Sequence, residues 1–446
     1  MIEKVVELIR RFEPISSRSR EWDSLMTGSG RSQRWHEIED EHRVLVIADP
    51  GAGKTFEAKT RARKMRDRGK KAFFIRIEKV DADFDQAFEI GTTEEFAAWL
   101  VSTEEAWFFL DSVDEALLET PRALENAVSV FGTRIHSALE RTHIFITSRE
   151  DAWRALPDQT LIEQHLPYGE PESAEDENNT SGKHDPMLKL FRLAGLSENE
   201  IELFAGHYGI GDVGDFVDAI KRGNLLTLAE RPFDLKALIR VWIADHKLGS
   251  RFDVLQRMIG LQLEPISVAS ALVRIGLAKA RHGIRMLAGA VMLTGKAVIC
   301  LPGGVHSPDR IDPRLLLPGW NDAEIDALLR TGLFDDIVYT SVRFRHREIR
   351  ELLSAEWAND LLGRKEGRPS VERLFFRDSY GEQVIVPRTR PTLTWLILLD
   401  EAVRNKALAV APDIASEGGD PSLLPLDVRQ SILRDIVERI ASENEV

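Results

Sequence analysis

Eight consecutive residues near the start of the chain, Ala48 to Thr55 (ADPGAGKT), carry groups that could hold an anion. They follow the apolar run Val44–Ile47 and precede Phe56–Lys59, which has helical character. Gly51 and Gly53 permit the positive backbone φ angles of a tight turn that aims successive N–H groups at one point. A strand, a glycine turn and a helix in this order predict a phosphate-binding loop.

The side chains of this stretch predict a nucleoside triphosphate with Mg²⁺ as the ligand. Lys54 is placed to reach the β- and γ-phosphates, and the Thr55 hydroxyl to ligand Mg²⁺. Ala48 stands at the first glycine of the GxxxxGK[ST] pattern, where a small residue fits if the demand on φ is mild. We expect these residues to surround the nucleotide: Ala48, Asp49, Pro50, Gly51, Ala52, Gly53, Lys54, Thr55 and Phe56.

A second stretch places three carboxylates after a buried-strand pattern. The run Ala106–Leu110 is continuously apolar, as in a parallel strand covered on both faces, and ligands bind at the carboxyl end of such strands. We expect Asp111 to serve Mg²⁺ directly or as an outer partner. Asp114 would orient and deprotonate the attacking water, with Glu115 assisting.

A third buried-strand pattern, Thr142–Ser148, has polar residues at its tip and is followed by Arg149. Arg149 would sense the γ-phosphate where negative charge develops; the alternative is a surface salt bridge. Leu161–Leu166 is a candidate fifth strand, and residues 2–12 predict a short amphipathic helix. Strands that alternate with helices predict a right-handed parallel sheet with helices on both faces.

Composition limits the class of protein. A chain of 446 residues predicts two to four domains, and 43% hydrophobic with 30% charged residues predicts globular domains. The formal net charge of −14 argues against wholesale electrostatic binding to nucleic acid or anionic lipid. One cysteine, Cys300, excludes an intramolecular disulfide framework and fits the cytoplasm, and no apolar run has membrane length.

The helix predicted after the glycine turn has a basic side. A solvated face balanced by acidic neighbours is the favoured interpretation, and contact with nucleic acid is the alternative. Its cations are Lys59, Arg61, Arg63, Lys64, Arg66 and Arg68.

The phrases ADPGAGKT, FFLDSVDEA and IFITSRE together resemble the NACHT type of STAND signalling NTPase, a branch of the AAA+-like P-loop proteins. In many AAA+ motors a glutamate directly follows the first aspartate. NACHT proteins have a small residue there and the acids two positions later, as Ser112 and Asp114 stand here.

Two further phrases extend this resemblance towards the C-terminus. LLTLAERPFDL resembles the element of the helical domain that closes over the adenine and sugar, which would set Pro232 against the nucleotide; otherwise Pro232 is a first-turn helix proline. FRHREIRELLSAEW resembles the winged-helix element whose histidine reaches the β-phosphate of ADP, a role that falls to His346. By itself His346 would more often be a packed or surface residue.

The resemblance implies an α/β P-loop NTPase domain with an AAA+-like parallel sheet, followed by mostly α-helical domains including a winged helix. The expected divisions are an N-terminal helix and linker (1–42), the NTPase domain (43–167), a polar loop (168–186), a helical domain (187–250), a helical and winged-helix region (251–358) and a C-terminal helical segment, the start of an α-solenoid (359–446).

The function implied is a cytoplasmic ATP-dependent switch with ATP/ADP and Mg²⁺ as cofactors. ADP would lock the resting protein, exchange for ATP would drive self-association, and slow hydrolysis would reset it, in antiviral defence. The trigger is unknown, a foreign protein or nucleic acid, and the effector would lie on another chain or in a missing C-terminal part, without a membrane. No guanine-reading motif is evident, which favours ATP.

Two alternatives stay open. One is an AAA+-like motor or loader acting on nucleic acid. The other is a nucleotide-stabilised scaffold whose catalysis is dispensable.

Overall fold

The computed structural model describes residues 6, 8–15, 31–49, 51–111, 122–149, 153, 155–168, 187–264, 275–304, 307–335, 340–364, 367–379 and 381–443. These residues form two compact units. The sheet unit lies within Met1–Val217 and Thr227–Lys236, and the helical unit within Asp218–Leu226 and Ala237–Val446.

Eight strands build the central sheet of the sheet unit. They are β1 (Arg11–Ile15), β2 (Gln33–Arg34), β3 (Arg43–Ile47), β4 (Lys71–Arg76), β5 (Phe88–Ile90), β6 (Ala106–Asp111), β7 (Thr142–Ser148) and β8 (Lys189–Leu193). Their spatial order is β2-β1-β8-β3-β7-β6-β4-β5. The run from β8 to β4 is parallel, whereas β1, β2 and β5 pair antiparallel at the two sides. The predicted α/β class with a mostly parallel sheet is therefore confirmed.

Helices cover both faces of this sheet. The covering helices are α1 (Trp35–Ile38), α2 (Lys54–Asp67), α3 (Thr93–Leu100), α4 (Ala123–Ile135) and α5 (Ala155–His165), and α6 (Glu198–His207) also belongs to the sheet unit. Alternate strand residues face opposite sides, so a strand covered twice needs an unbroken apolar sequence. On one side α2 packs Ala62 and Met65 with Phe74 of β4. On the other, α4 packs Leu124 and Phe131 with Phe73 of the same strand.

Three sequence predictions about this unit are wrong. Arg11–Ile15 is strand β1 rather than the end of a helix, because it pairs with β8. Of the run Leu161–Leu166, residues 161–165 belong to helix α5, and Leu166 directly follows it. Ile162 and Leu166, four residues apart, are both buried. The fifth parallel strand is instead β8, at the start of the segment 187–250 that was expected to form a helical domain. A short apolar run fits both the helical period of 3.6 residues and the strand period of two residues. In these segments, pairing within the sheet determined which structure formed.

Three helices span the division between the units: α7 (Val213–Arg222), α8 (Leu226–Ala229) and α9 (Pro232–Asp245). The helical unit continues with α10 (Arg251–Leu263), α11 (Leu277–Thr294), α12 (Pro313–Leu316), α13 (Asp322–Leu329), α14 (Arg347–Leu362), α15 (Arg368–Phe375), α16 (Arg390–Leu399), α17 (Glu401–Val410) and α18 (Leu426–Glu443). The predicted helical character of the C-terminal part is confirmed.

Two small antiparallel sheets lie among these helices. They pair β9 (Ile299–Cys300) with β10 (Ser341–Val342), and β11 (Phe376–Ser379) with β12 (Glu382–Ile385). Helix α14 follows β10 and packs against α11 and α16. The winged helix and the α-solenoid remain predictions. Val338 and Tyr339, within the expected winged-helix region 251–358, lie outside the described residues.

Candidate functional site

The glycine loop, residues 48–53, follows the central strand β3 and ends where α2 begins at Lys54. Gly51 and Gly53 have φ angles of 78° and 93°, in the region that glycine adopts without steric cost. The backbone at Ala48 has no positive φ, so alanine is tolerated at the position where the loop pattern has its first glycine. Pro50 lies outside the described residues.

Lys54 lies across the glycine loop. Its Nζ donates to the carbonyl oxygens of Ala48 at 2.8 Å and Asp49 at 3.3 Å, and the Ala52 N–H donates to Asp49 O at 3.3 Å. The ammonium thus stands at the beginning of a 14-residue helix. The first N–H groups of a helix have no intrahelical acceptor, and its dipole favours an anion there. Thr55 is half-buried in this first turn.

Strand register brings the ends of β4, β6 and β7 into one row. Arg76 pairs with Asp111, and Leu110 pairs with Ile146, which sets Asp111 beside Thr147. Asp111 is 1% exposed; Thr147 Oγ1 donates to its Oδ1, and Arg76 Nη1 stands 3.4 Å from its Oδ2.

This row lies at the same sheet edge as the glycine loop. Ile47, the last residue of β3, pairs with Ser148, and the Ala48 N–H donates to Ser148 O at 3.2 Å. Arg149 directly follows and is half-buried. Asp114 and Glu115 lie outside the described residues. The structure therefore brings Lys54, Asp111 and Arg149 to one edge, and their catalytic roles remain predictions.

The segment Arg231–Phe233 contacts the glycine loop within the sheet unit. Arg231 Nη2 is 2.7 Å from Asp49 Oδ2, and the Phe233 N–H donates to Gly51 O at 3.4 Å. A Cβ added at Gly53 would stand 3.7 Å from Pro232 Cγ. Pro232 is also the first residue of α9, which is the alternative position of a first-turn helix proline. Its contact with the nucleotide remains a prediction.

Sequence reasoning missed Arg10, which braces the loop. Its side chain is 2% exposed; Nη1 donates to Ala52 O at 2.9 Å and Nη2 to Ala194 O at 2.8 Å. One guanidinium therefore ties the glycine loop to the chain just after β8. The signal in the sequence is a pair of arginines, Arg10 and Arg11, set between the apolar residues Ile9 and Phe12.

A buried acid accompanies this arginine. Glu57 of α2 is 8% exposed and accepts a hydrogen bond from Trp35 Nε1 at 3.2 Å. Burial raises the pKa of Glu57, which the Arg10 charge partly opposes. Burial likewise lowers the pKa of Arg10, and the carboxylates of Glu57 and Glu200 oppose that change. The helix start thus carries an internal charge network beneath the loop.

Acidic neighbours pair with most cations of the basic side of α2. Arg66 lies 2.7 Å from Glu95, and Arg68 lies 3.7 Å from Glu39. Two closer pairs are Lys59 with Glu89 and Arg61 with Glu39. The expected balance of these cations by acidic neighbours is confirmed for these four, whereas Arg61 is 7% exposed and so does not belong to a solvated face.

His346 is the N-cap residue of α14 in the helical unit and is 5% exposed. The histidine is thus a buried residue at a helix start. Its reach to a phosphate remains a prediction.

Within the described ranges, no group of three or more His, Cys, Asp or Glu side chains is arranged to hold a metal ion. The described helices include none long and apolar enough to cross a bilayer. Comparison of the sequence with protein-family models and with curated proteins gives no match to either.

Proposed function

We propose that the chain is an ATP-binding switch of the NACHT and STAND type that hydrolyses ATP slowly. One observation carries the proposal: a loop with two left-handed glycines joins the central strand β3 to α2, and Lys54 lies over its carbonyls. This is the arrangement that a triphosphate-binding loop needs, since backbone N–H groups and an ammonium converge on the anion. ADP would hold the resting state.

The acids at the neighbouring strand support a hydrolytic role. Asp111 ends β6 beside the loop strand pair and is buried, so its orientation is fixed by Thr147 and Arg76. An oriented carboxylate at this place suits Mg²⁺ bound with Thr55. Asp114 and Glu115, three and four residues further on, would act on the water, and Arg149 on the γ-phosphate.

The contacts of Arg231–Phe233 support a switch rather than a simple binding site. These residues touch Asp49 and Gly51 directly, and α9 begins among them. A loop that moves on nucleotide exchange would therefore move the start of α9. A ligand shifts such an equilibrium only by its difference in affinity for the two states, and these contacts give it a means to do so.

The nucleotide content of the purified protein is the first test. Chromatography after denaturation should release ADP, and Lys54→Ala should abolish it while Arg63→Ala, an exposed cation of the same helix, keeps it. An empty wild-type protein that also fails to bind added ATP would refute the proposal.

The second test separates the switch from its alternatives. Asp114→Asn should trap ATP and elute from size-exclusion chromatography as an oligomer, whereas a scaffold would elute unchanged. ATP turnover stimulated many-fold by DNA or RNA would instead favour the motor. Ion pairs with acidic neighbours leave few cations of α2 for contact with nucleic acid.

A further inference from the structure

A cationic cleft of about 320 Å³ lies in the sheet unit, where β1, β2 and α1 meet. It is lined by Arg11, Arg31, Ser32, Arg34, His36 and Glu37. Three guanidinium groups and one carboxylate give this cleft a positive charge, in a chain whose formal net charge is −14. We call it the arginine cleft.

The sheet register forces two of these arginines together. Arg11 of β1 stands directly opposite Arg34 of β2 in the antiparallel pair. Like charges directly opposite each other on one face are destabilising. The pairing of two such short strands does not require arginine at both positions. An anionic group at the cleft would offset the repulsion between the two guanidinium groups.

The protein offers little compensation for these charges. Arg11 Nη2 is 3.9 Å from Glu200 and donates to Gly195 O at 3.3 Å. Glu37 accepts from the Arg34 backbone N–H at 2.7 Å. Among the described residues, the exposed side chains of Arg31 and Arg34 form no ion pair. Their donors face solvent at the cleft.

We propose that the arginine cleft binds the phosphate groups of a small phosphorylated molecule. Guanidinium forks recognise phosphate oxygens in bidentate fashion, and several forks around one cleft suit a ligand with two or more phosphates. The cleft volume is at the lower end of that of small-molecule sites. A long polyanion would meet the repulsion of the acidic chain beyond the cleft, whereas a small one would not.

The cleft is separate from the glycine loop, and its proposal does not rest on the nucleotide switch. None of its lining residues belongs to the loop or to α2. The two places are neighbours along β1 and α1: Arg10 braces Ala52 while Arg11 lines the cleft, and Trp35 of α1 donates to Glu57 of α2.

Titration calorimetry with inorganic tripolyphosphate tests the cleft in the Lys54→Ala protein, which removes the ammonium of the glycine loop. We expect one tripolyphosphate bound per chain, weakened at least tenfold by adding Arg31→Ala and Arg34→Ala. Adding Arg63→Ala instead should leave the affinity unchanged, since this exposed arginine lies on α2. Raising the salt concentration should weaken binding by screening.

Thermal melting without ligand checks that these variants fold. Both substituted arginines are exposed, so their removal should leave the melting temperature unchanged or higher. Tripolyphosphate should raise the melting temperature of the Lys54→Ala protein and not that of the triple variant.

Three outcomes would overturn the proposal: no binding to the Lys54→Ala protein, binding that the double arginine change leaves intact, or tighter binding of a single-stranded oligonucleotide through the same arginines. If the Lys54→Ala protein does not bind tripolyphosphate but the wild-type protein does, the proposed nucleotide switch is unaffected. Binding at the cleft in a protein that never binds ATP would instead refute the switch alone.

Discussion

Arg10→Met is the sharpest test of how the glycine loop is held. Methionine fills a similar volume but lacks the buried guanidinium. The variant therefore loses the two hydrogen bonds that Arg10 donates, to Ala52 O at 2.9 Å and to Ala194 O at 2.8 Å. The substitution leaves both carbonyls and the buried Glu57 without this cation. The loop and the chain after β8 are then no longer tied through one side chain.

The cost follows from these contacts. A hydrogen bond to a charged group contributes about 1.5–3 kcal/mol, so two contribute about 3–6 kcal/mol. Burial of the guanidinium, which lowers the pKa of Arg10, offsets part of this sum, and we expect a net loss of about 3 kcal/mol. For a unit of this size, that loss lowers the melting temperature by about 6–12 °C. A loosened loop should also bind ATP at least tenfold more weakly, about 1.4 kcal/mol.

Calorimetric melting and ATP titration measure the two effects separately. Arg10→Lys keeps the charge but not the fork that reaches two carbonyls, so it should recover only part of the stability. Arg63→Met is the control for loss of an exposed cation on α2 and should change neither quantity. A melting temperature within 1 or 2 °C of wild type, or a destabilised protein with unchanged ATP affinity, would refute the bracing role.

Three further substitutions probe the same unit. Gly53→Ala and its control Gly69→Ala both force a left-handed alanine, with φ of 93° and 80°, at about 1–2 kcal/mol; only the first should weaken ATP binding, and equal affinities would contradict the loop assignment. Thr147→Val removes the hydroxyl bonded to buried Asp111 and should cost about 1–3 kcal/mol in thermal melting, so an unchanged melting temperature would count against that bond. Burial raises the pKa of Glu57 in the folded protein. The protonated side chain therefore contributes to the free energy of unfolding at low pH, and this contribution is lost as pH rises through the folded pKa. Wild type should therefore gain melting temperature relative to Glu57→Gln between pH 7 and about pH 5, and a constant difference would show that this carboxylate does not titrate as argued.

Much of the sheet unit follows from local sequence. The apolar runs at β3 and β6 and the buried-strand pattern at β7 predict parallel strands, and the helical character of Phe56–Lys59 predicts α2. The glycine loop, Lys54 and Asp111 were found in the same way. These features depend on neighbours within a few residues, where side-chain periodicity and the special φ range of glycine act directly.

Contacts between distant segments were decided by the tertiary structure alone. The apolar spacing of Arg11–Ile15 and of Lys189–Leu193 fits either a helix or a strand. Each segment forms a strand because the two pair with each other. The brace from Arg10 to Ala52 and the opposition of Arg11 to Arg34 depend on that pairing. A hydrogen bond or ion pair between residues far apart in the chain produces no periodic pattern in the sequence, so the sequence alone does not predict it. The motifs therefore identified the candidate loop, while only the folded sheet determined what holds it and which arginines meet.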